Sequence, residues 1–201
     1  MAGKIVIDIF KEKKAEDFTA ALASPECRAN AGSAAAYAAA MACALAGRVA
    51  KLCAAQAQED ERLSYIVRNS EILRSYMVHL IDEDVKSKGP INRARKEGGE
   101  REIEASIQTA SCIDAEIVNM TKPCLEFLVE LCERCPAEEK HFILEAAELA
   151  MCACRVAQSV IFSYADLSSD EIYRFVTHRE NEVFLKEHKA LYDKIVSELS
   201  N

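Results

Sequence analysis

Apolar residues recur along most of the chain at spacings of three, four and seven, the period of a helix with one buried face. Ile66, Leu73, Met77, Leu80 and Ile81 do so between Arg62 and about Lys86, and Ile103, Ile107, Ala110 and Ile117 do so from Arg101 onward. A shorter helix is predicted over roughly Lys13 to Ala23. It stops at Ser24-Pro25, because a residue before proline disfavours the helical region. Gly32-Ser33 then opens an alanine-rich helix expected to reach about Gln58, with Ser33 as its N-cap. Strand signal is confined to Ile5-Val6-Ile7, read as an extended lead-in.

Prolines and glycines punctuate this pattern. Lys86 to Gly99 holds Gly89-Pro90 and Gly98-Gly99, which predicts an extended break. Pro123 falls inside an apolar helical pattern and is expected to kink or interrupt it near Asn119. Pro136-Ala-Glu-Glu139 puts a proline and two acids at a helix start, and that helix is expected to run to about Tyr164. Ser168-Ser-Asp-Glu171 matches a capping box opening a last helix that carries Ile172, Phe175, Phe184, Leu191 and Ile195. No repeat and no flexible linker divides the chain. The expected fold is all-α: residues 1–201 as a single-domain bundle of six or seven helices around a central Ala-rich helix.

Composition narrows the function. Of 201 residues, 25 are basic and 33 acidic, a net charge of −8 that disfavours nucleic acid and anionic membrane as partners. Ala29 to Gly47 carries no formal charge, but eleven of its 19 residues are alanine, which inserts into a bilayer far less readily than leucine. We read it as a buried helix whose small side chains admit close neighbours, not as a membrane span. The nine cysteines are an odd number and sit mostly in helical stretches, the usage of a reduced, cytoplasmic protein. The apolar run at the N-terminus is too short for a signal segment and is interrupted by Asp8. Cys132-Glu-Arg-Cys135 with Cys124 and His141 lacks the second well-spaced pair of a structural zinc site, so no metal is expected. Nucleophile-elbow, zincin, P-loop and dinucleotide motifs are absent.

Three segments carry candidate chemistry. Pro25 to Ala36 is a small-residue loop feeding a helix N-terminus, where Asn30, Gly32 and Ser33 offer backbone N–H groups to a carboxylate or carbonyl. Asp82, Glu83 and Asp84 form the densest acidic cluster. Successive helical residues lie about 100° apart, so at most two of them share a site. Lys86, Lys88, Arg93, Arg95 and Lys96 make the basic cluster of an acidic chain.

Leu22-Ala-Ser-Pro25, Ala31-Gly32-Ser33-Ala-Ala-Ala36, Leu80-Ile-Asp-Glu-Asp84 and Glu100-Arg101-Glu-Ile103 together resemble the cyclodeaminase/cyclohydrolase family of folate enzymes. The resemblance implies an enzyme working on the bridge between N5 and N10 of tetrahydrofolate. It either hydrates a methenyl carbon or closes the ring from a formimino group with loss of ammonia. It further implies Asp84 as proton carrier, the Asn30-Gly32-Ser33 loop as part of a folate groove, a homodimer, and no cofactor beyond tetrahydrofolate as substrate. His141 lies near a position where the family carries an acid and stands as a substitute acid/base. Arg93 and Lys96 suit the carboxylates of a folate's glutamate tail. The family's triple glycine is reduced here to Asn30-Ala31-Gly32, and its later proline is replaced near Asp114. These departures leave an alternative, a non-catalytic helical scaffold or folate-binding partner subunit.

Overall fold

The computed structural model describes residues 9–27, 29–57 and 59–200; Ile5-Val6-Ile7 lies outside them. Six α-helices follow one another: α1 Ala15–Ala23, α2 Ala31–Gln56, α3 Glu61–Glu97, α4 Glu100–Cys132, α5 His141–Leu167 and α6 Glu171–Leu199. Single 3-10 turns lie at Phe10–Glu12 and Ala137–Glu139, and no strand occurs among the described residues. The fold is an all-α bundle, as the periodicity predicts.

Helix α2 packs against α3, α4 and α5. Its buried positions are mostly alanine: Ala35, Ala36, Ala39, Ala40, Ala42, Ala46 and Ala50. Side chains this short bring the neighbouring helices close to its axis. The core divides along α2. Toward its C-terminus Val49 meets Ile66, Leu125, Leu128, Leu131, Ile143 and Met151. Toward its N-terminus Ala36 and Ala39 meet Met77, Leu80, Ile117, Ala157 and Ile161. The helix is not enclosed on every side, however. Met41, Ala44, Arg48 and Lys51 form an exposed stripe at helical spacing. By length and hydropathy both α2 and the segment Ala137–Leu167 are able to cross a membrane, and both supply buried residues to this core.

Neither Pro90 nor Pro123 interrupts its helix. Helix α3 runs straight through Gly89-Pro90. Part of the steric penalty before a proline comes from a Cβ that Gly89 lacks, and Gly89 itself is open to solvent. Continuing the helix buries Ile91 with Ile107, Ala110 and Tyr164, and this packing outweighs the lost hydrogen bond. Helix α4 likewise continues past Pro123. The carbonyl left without its helical donor belongs to Asn119, an exposed residue. Nearby, Thr121 donates to the Ile117 and Val118 carbonyls, and the His188 ring of α6 lies 2.9 Å from the Val118 carbonyl.

The caps also differ from expectation. Asn30, not Ser33, caps α2, accepting the Gly32 N–H at 3.1 Å. Asp170, not Ser168, caps α6, accepting from Ile172 and Tyr173. The Ser168 hydroxyl donates instead to Glu104 of α4. Pro136 starts a 3-10 turn, and α5 proper begins at His141. Helix α6 docks through Thr177, Asn181, His188 and Ile195, leaving Ile172 and Phe175 76 % and 69 % exposed.

Dense packing around α2 sets a test. Ala39→Leu, at a position with no exposure, is expected to destabilise the fold by about 1–3 kcal/mol through overpacking. Ala44→Leu on the exposed stripe is expected to stay within about 0.5 kcal/mol of the parent. Urea denaturation of the two variants checks the contrast.

Candidate active site

Three helices bring polar groups to one buried point. Asp84 on α3 and Asp114 on α4 are both fully buried, facing the first turn of α2. Ser33 donates to Asp84 Oδ2 at 2.5 Å, and Lys88 Nζ lies 3.2 Å from the same oxygen. Asp84 Oδ1 and both oxygens of Asp114 have no hydrogen-bond partner. Gly32 makes room for them: a Cβ there would lie 2.5 Å from Asp84 Oδ1 and 2.6 Å from Asp114 Oδ1. The two carboxyl groups thus flank one point, close enough for the Asp84 charge to disfavour ionisation of Asp114.

Burial, reinforced by the Asp84 charge and partly offset by Lys88, pushes the Asp114 carboxyl up to about 8. Burial also raises the Tyr164 phenol to about 12, with the Asp84 and Asp114 charges adding to it and a hydrogen bond with Ser87 opposing. Ser87 donates in turn to the Asp84 carbonyl at 2.7 Å.

Above this pair opens a cavity of about 500 Å³ between α3, α5 and the start of α2. Lys88, Ile91, Asn92 and Arg95 form one wall at helical spacing, and Val160, Tyr164 and Leu167 form the other. Lys88 and Tyr164 belong to both the cavity wall and the surroundings of the carboxyl pair. The cavity therefore offers apolar side chains on both walls, cationic and amide groups on one of them, and a buried acid that Lys88 joins to it.

The residues singled out in the sequence separate here. Gly32, Ser33 and Asp84 come together, and Asn30 lines the cavity mouth. Arg93 and Lys96 are exposed on α3, whereas Asn92 and Arg95 face the cavity. The helical course through Pro90 makes that choice, since positions 88, 91, 92 and 95 share a face. His141 lies elsewhere: it is exposed at the start of α5 against Phe142, whose ring sits under the Arg48 guanidinium. Arg48 is about 22 Å along α2 from Ser33 at the α-helical rise. Within the acidic cluster, Asp82 accepts from the Phe10 and Lys11 N–H groups, and Glu83 pairs with Lys86. Asp84 alone of the three reaches the site.

Sequence reasoning missed Asp114 and Tyr164 as site members and placed Lys88 only within the basic cluster. A signal existed for Asp114: it falls on the apolar stripe of Ile107, Ala110 and Ile117, a position an acid occupies only for a reason. Cys132 and Cys135 face the opposite half of the core, where Cys135 lies against Cys53. No cluster of three or more metal-binding side chains occurs among the described residues.

Two outcomes follow from this geometry. Gly32→Ala is expected to push the carboxyl groups apart and lower the melting temperature, measured by calorimetry, because the new Cβ meets oxygens on two separate helices. Asp114→Asn is expected to change how stability depends on pH. With its folded value raised, Asp114 contributes fully below its ordinary 3.8, and that contribution is lost as pH rises through about 8. The wild type should fall behind the Asn variant by up to about 1.4 kcal/mol per pH unit across that window. The gap should then level off, as read by denaturation at a series of pH values.

Comparison with known proteins places the fold. The family model described as formiminotransferase-cyclodeaminase matches residues 14–169. A crystal structure of formiminotetrahydrofolate cyclodeaminase from Thermotoga maritima superposes with a TM-score of 0.87 at 20 % sequence identity, covering 94 % of this chain and 97 % of that one. No curated protein sequence matches the chain. Matched over most of its length, this chain belongs to the formiminotransferase-cyclodeaminase family.

Proposed function

We propose that this protein is a folate-dependent one-carbon enzyme that acts on the N5–N10 bridge of tetrahydrofolate, as a formiminotetrahydrofolate cyclodeaminase or a methenyltetrahydrofolate cyclohydrolase. The observation that carries the reading is Asp84. It is a fully buried carboxylate held by Ser33 and Lys88 beneath a cavity of about 500 Å³. Both reactions need a proton at a nitrogen. Ring closure from a formimino group expels ammonia, whose nitrogen must be protonated to leave. Hydration of a methenyl carbon opens the ring and hands a proton to the nitrogen released. A positioned acid contributes about 10²–10⁴-fold to such steps.

The cavity suits the remainder of a folate. Ile91, Val160 and Leu167 offer apolar surface to flat rings, and Arg95 with Asn92 offers donors to carboxylates at the cavity wall. Tetrahydrofolate is itself the one-carbon carrier, so the proposed chemistry calls for no further cofactor. The assembly we expect is a homodimer. The exposed apolar residues Ile172, Phe175, Val176 and Val183 on α6 offer it a face.

Absorbance of methenyltetrahydrofolate distinguishes the outcomes. Its formation from formiminotetrahydrofolate with release of ammonia marks the cyclodeaminase, and its accelerated decay marks the cyclohydrolase. Folate binding by calorimetry without either turnover would indicate the non-catalytic alternative, and no binding at all would overturn the folate reading. In the active enzyme, Asp84→Asn is expected to cut turnover by about 10²-fold or more while leaving affinity within about threefold. Arg95→Ala is expected to weaken folate binding by about 1–3 kcal/mol through loss of charge-assisted bonds. Arg93→Ala, away from the cavity, should weaken it far less. Titration calorimetry of the three variants checks this.

A further inference from the structure

Asp114 has no use in the reading so far, yet it is the least satisfied polar group in the described core. Both its oxygens lack partners, a third unpartnered oxygen from Asp84 faces the same point, and both residues have no solvent exposure. Carboxylate oxygens only accept. With both groups ionised, the two Oδ1 atoms would meet at Gly32 without a donor between them. Lys88 balances one of the two negative charges through Asp84 Oδ2. A single proton cancels the remaining charge. It turns one acceptor into a donor, gives a second acceptor its partner, and brings the cluster of Asp84, Asp114 and Lys88 to neutrality.

We propose that Asp84 and Asp114 share one proton, and that Asp114 is a positioning residue that keeps the pair loaded for proton transfer to a nitrogen in the cavity. The inference rests on the proposed folate chemistry for its use, but not for the existence of the shared proton. In the transfer, an O–H bond of the pair breaks and an N–H bond forms on the departing nitrogen. Both carboxylates are left ionised beside the Lys88 ammonium. Lys88 touches Asp84 and lines the cavity, and a solvent proton entering beside it reloads the pair. The raised value of Asp114 places the loaded state at neutral pH, which agrees with the geometry.

The full-length protein provides the test. Infrared spectra of the wild type are expected to show a buried protonated-carboxyl C=O band at neutral pH. That band should fade as pH rises past about 8 and be missing from Asp114→Asn. In whichever folate reaction the enzyme catalyses, wild-type turnover should fall across the same alkaline range. Asp114→Asn should lose that transition and run at least tenfold slower at neutral pH. A folded wild type without the band, or an Asp114→Asn variant with an unchanged pH profile, would overturn the proposal. Should Asp114→Asn not fold, the wild-type band and its titration decide alone. A titrating band without either folate reaction would leave the shared proton standing and remove the folate reading. Turnover without a band would do the reverse.

Discussion

The structure depends on a close approach at Gly32. In the first turn of α2 the backbone carries no side chain, and oxygens from α3 and α4 occupy the space that a Cβ would take. Removing a carboxylate from water costs several kcal/mol even after relaxation, and two such groups meet here without exposure. Ser33 and Lys88 supply donors to one oxygen of Asp84. The rest of the penalty falls on the bundle, which has to hold three helices in register against it.

The bundle meets that demand with small residues. The alanines of α2 let α3, α4 and α5 approach its axis, so that Ser33, Asp84 and Asp114 converge from separate helices. The hydrophobic groups on either side of the polar point give the helices their purchase. Met77, Leu80 and Ile117 lie on the core side, and Ile91, Ile107, Ala110 and Tyr164 lie on the cavity side. The unsatisfied oxygens are thus sandwiched between two apolar clusters, the setting in which an acid holds its proton. Structure and chemistry make opposed demands on the same atoms, a pattern expected at functional sites more than in structural cores.

The course of α3 past Pro90 connects this buried acid to the surface. Had the chain left the helix at Gly89, the basic residues beyond would have lain on a loop with no fixed direction. Because it continues, Lys88, Ile91, Asn92 and Arg95 form one wall of the cavity while Arg93 and Lys96 face solvent. Asp84 and Lys88, one turn apart on the same helix, thereby join the buried pair to the cavity. Ser87 ties the same turn to Tyr164 of α5.

Local periodicity determined a good deal of this protein. The helical class and the alanine-rich helix as the close-packing element were legible because each rests on spacing within one segment, whereas Gly32, Ser33 and Asp84 were singled out through the motifs that resemble the family. The behaviour of Pro90 and Pro123 was not legible. Whether a proline ends a helix depends on what burial the continued helix gains, and Ile91 finds its partners on α4 and α5. The caps shifted to Asn30 and Asp170 for a related reason, since Ser33 and Ser168 are drawn to carboxylates on other helices. Asp114 stood visibly on an apolar stripe, but its meaning required knowing that Asp84, thirty residues earlier, faces the same glycine. A sequence specifies which face of each helix is buried; which buried polar groups then meet is decided by how the helices pack.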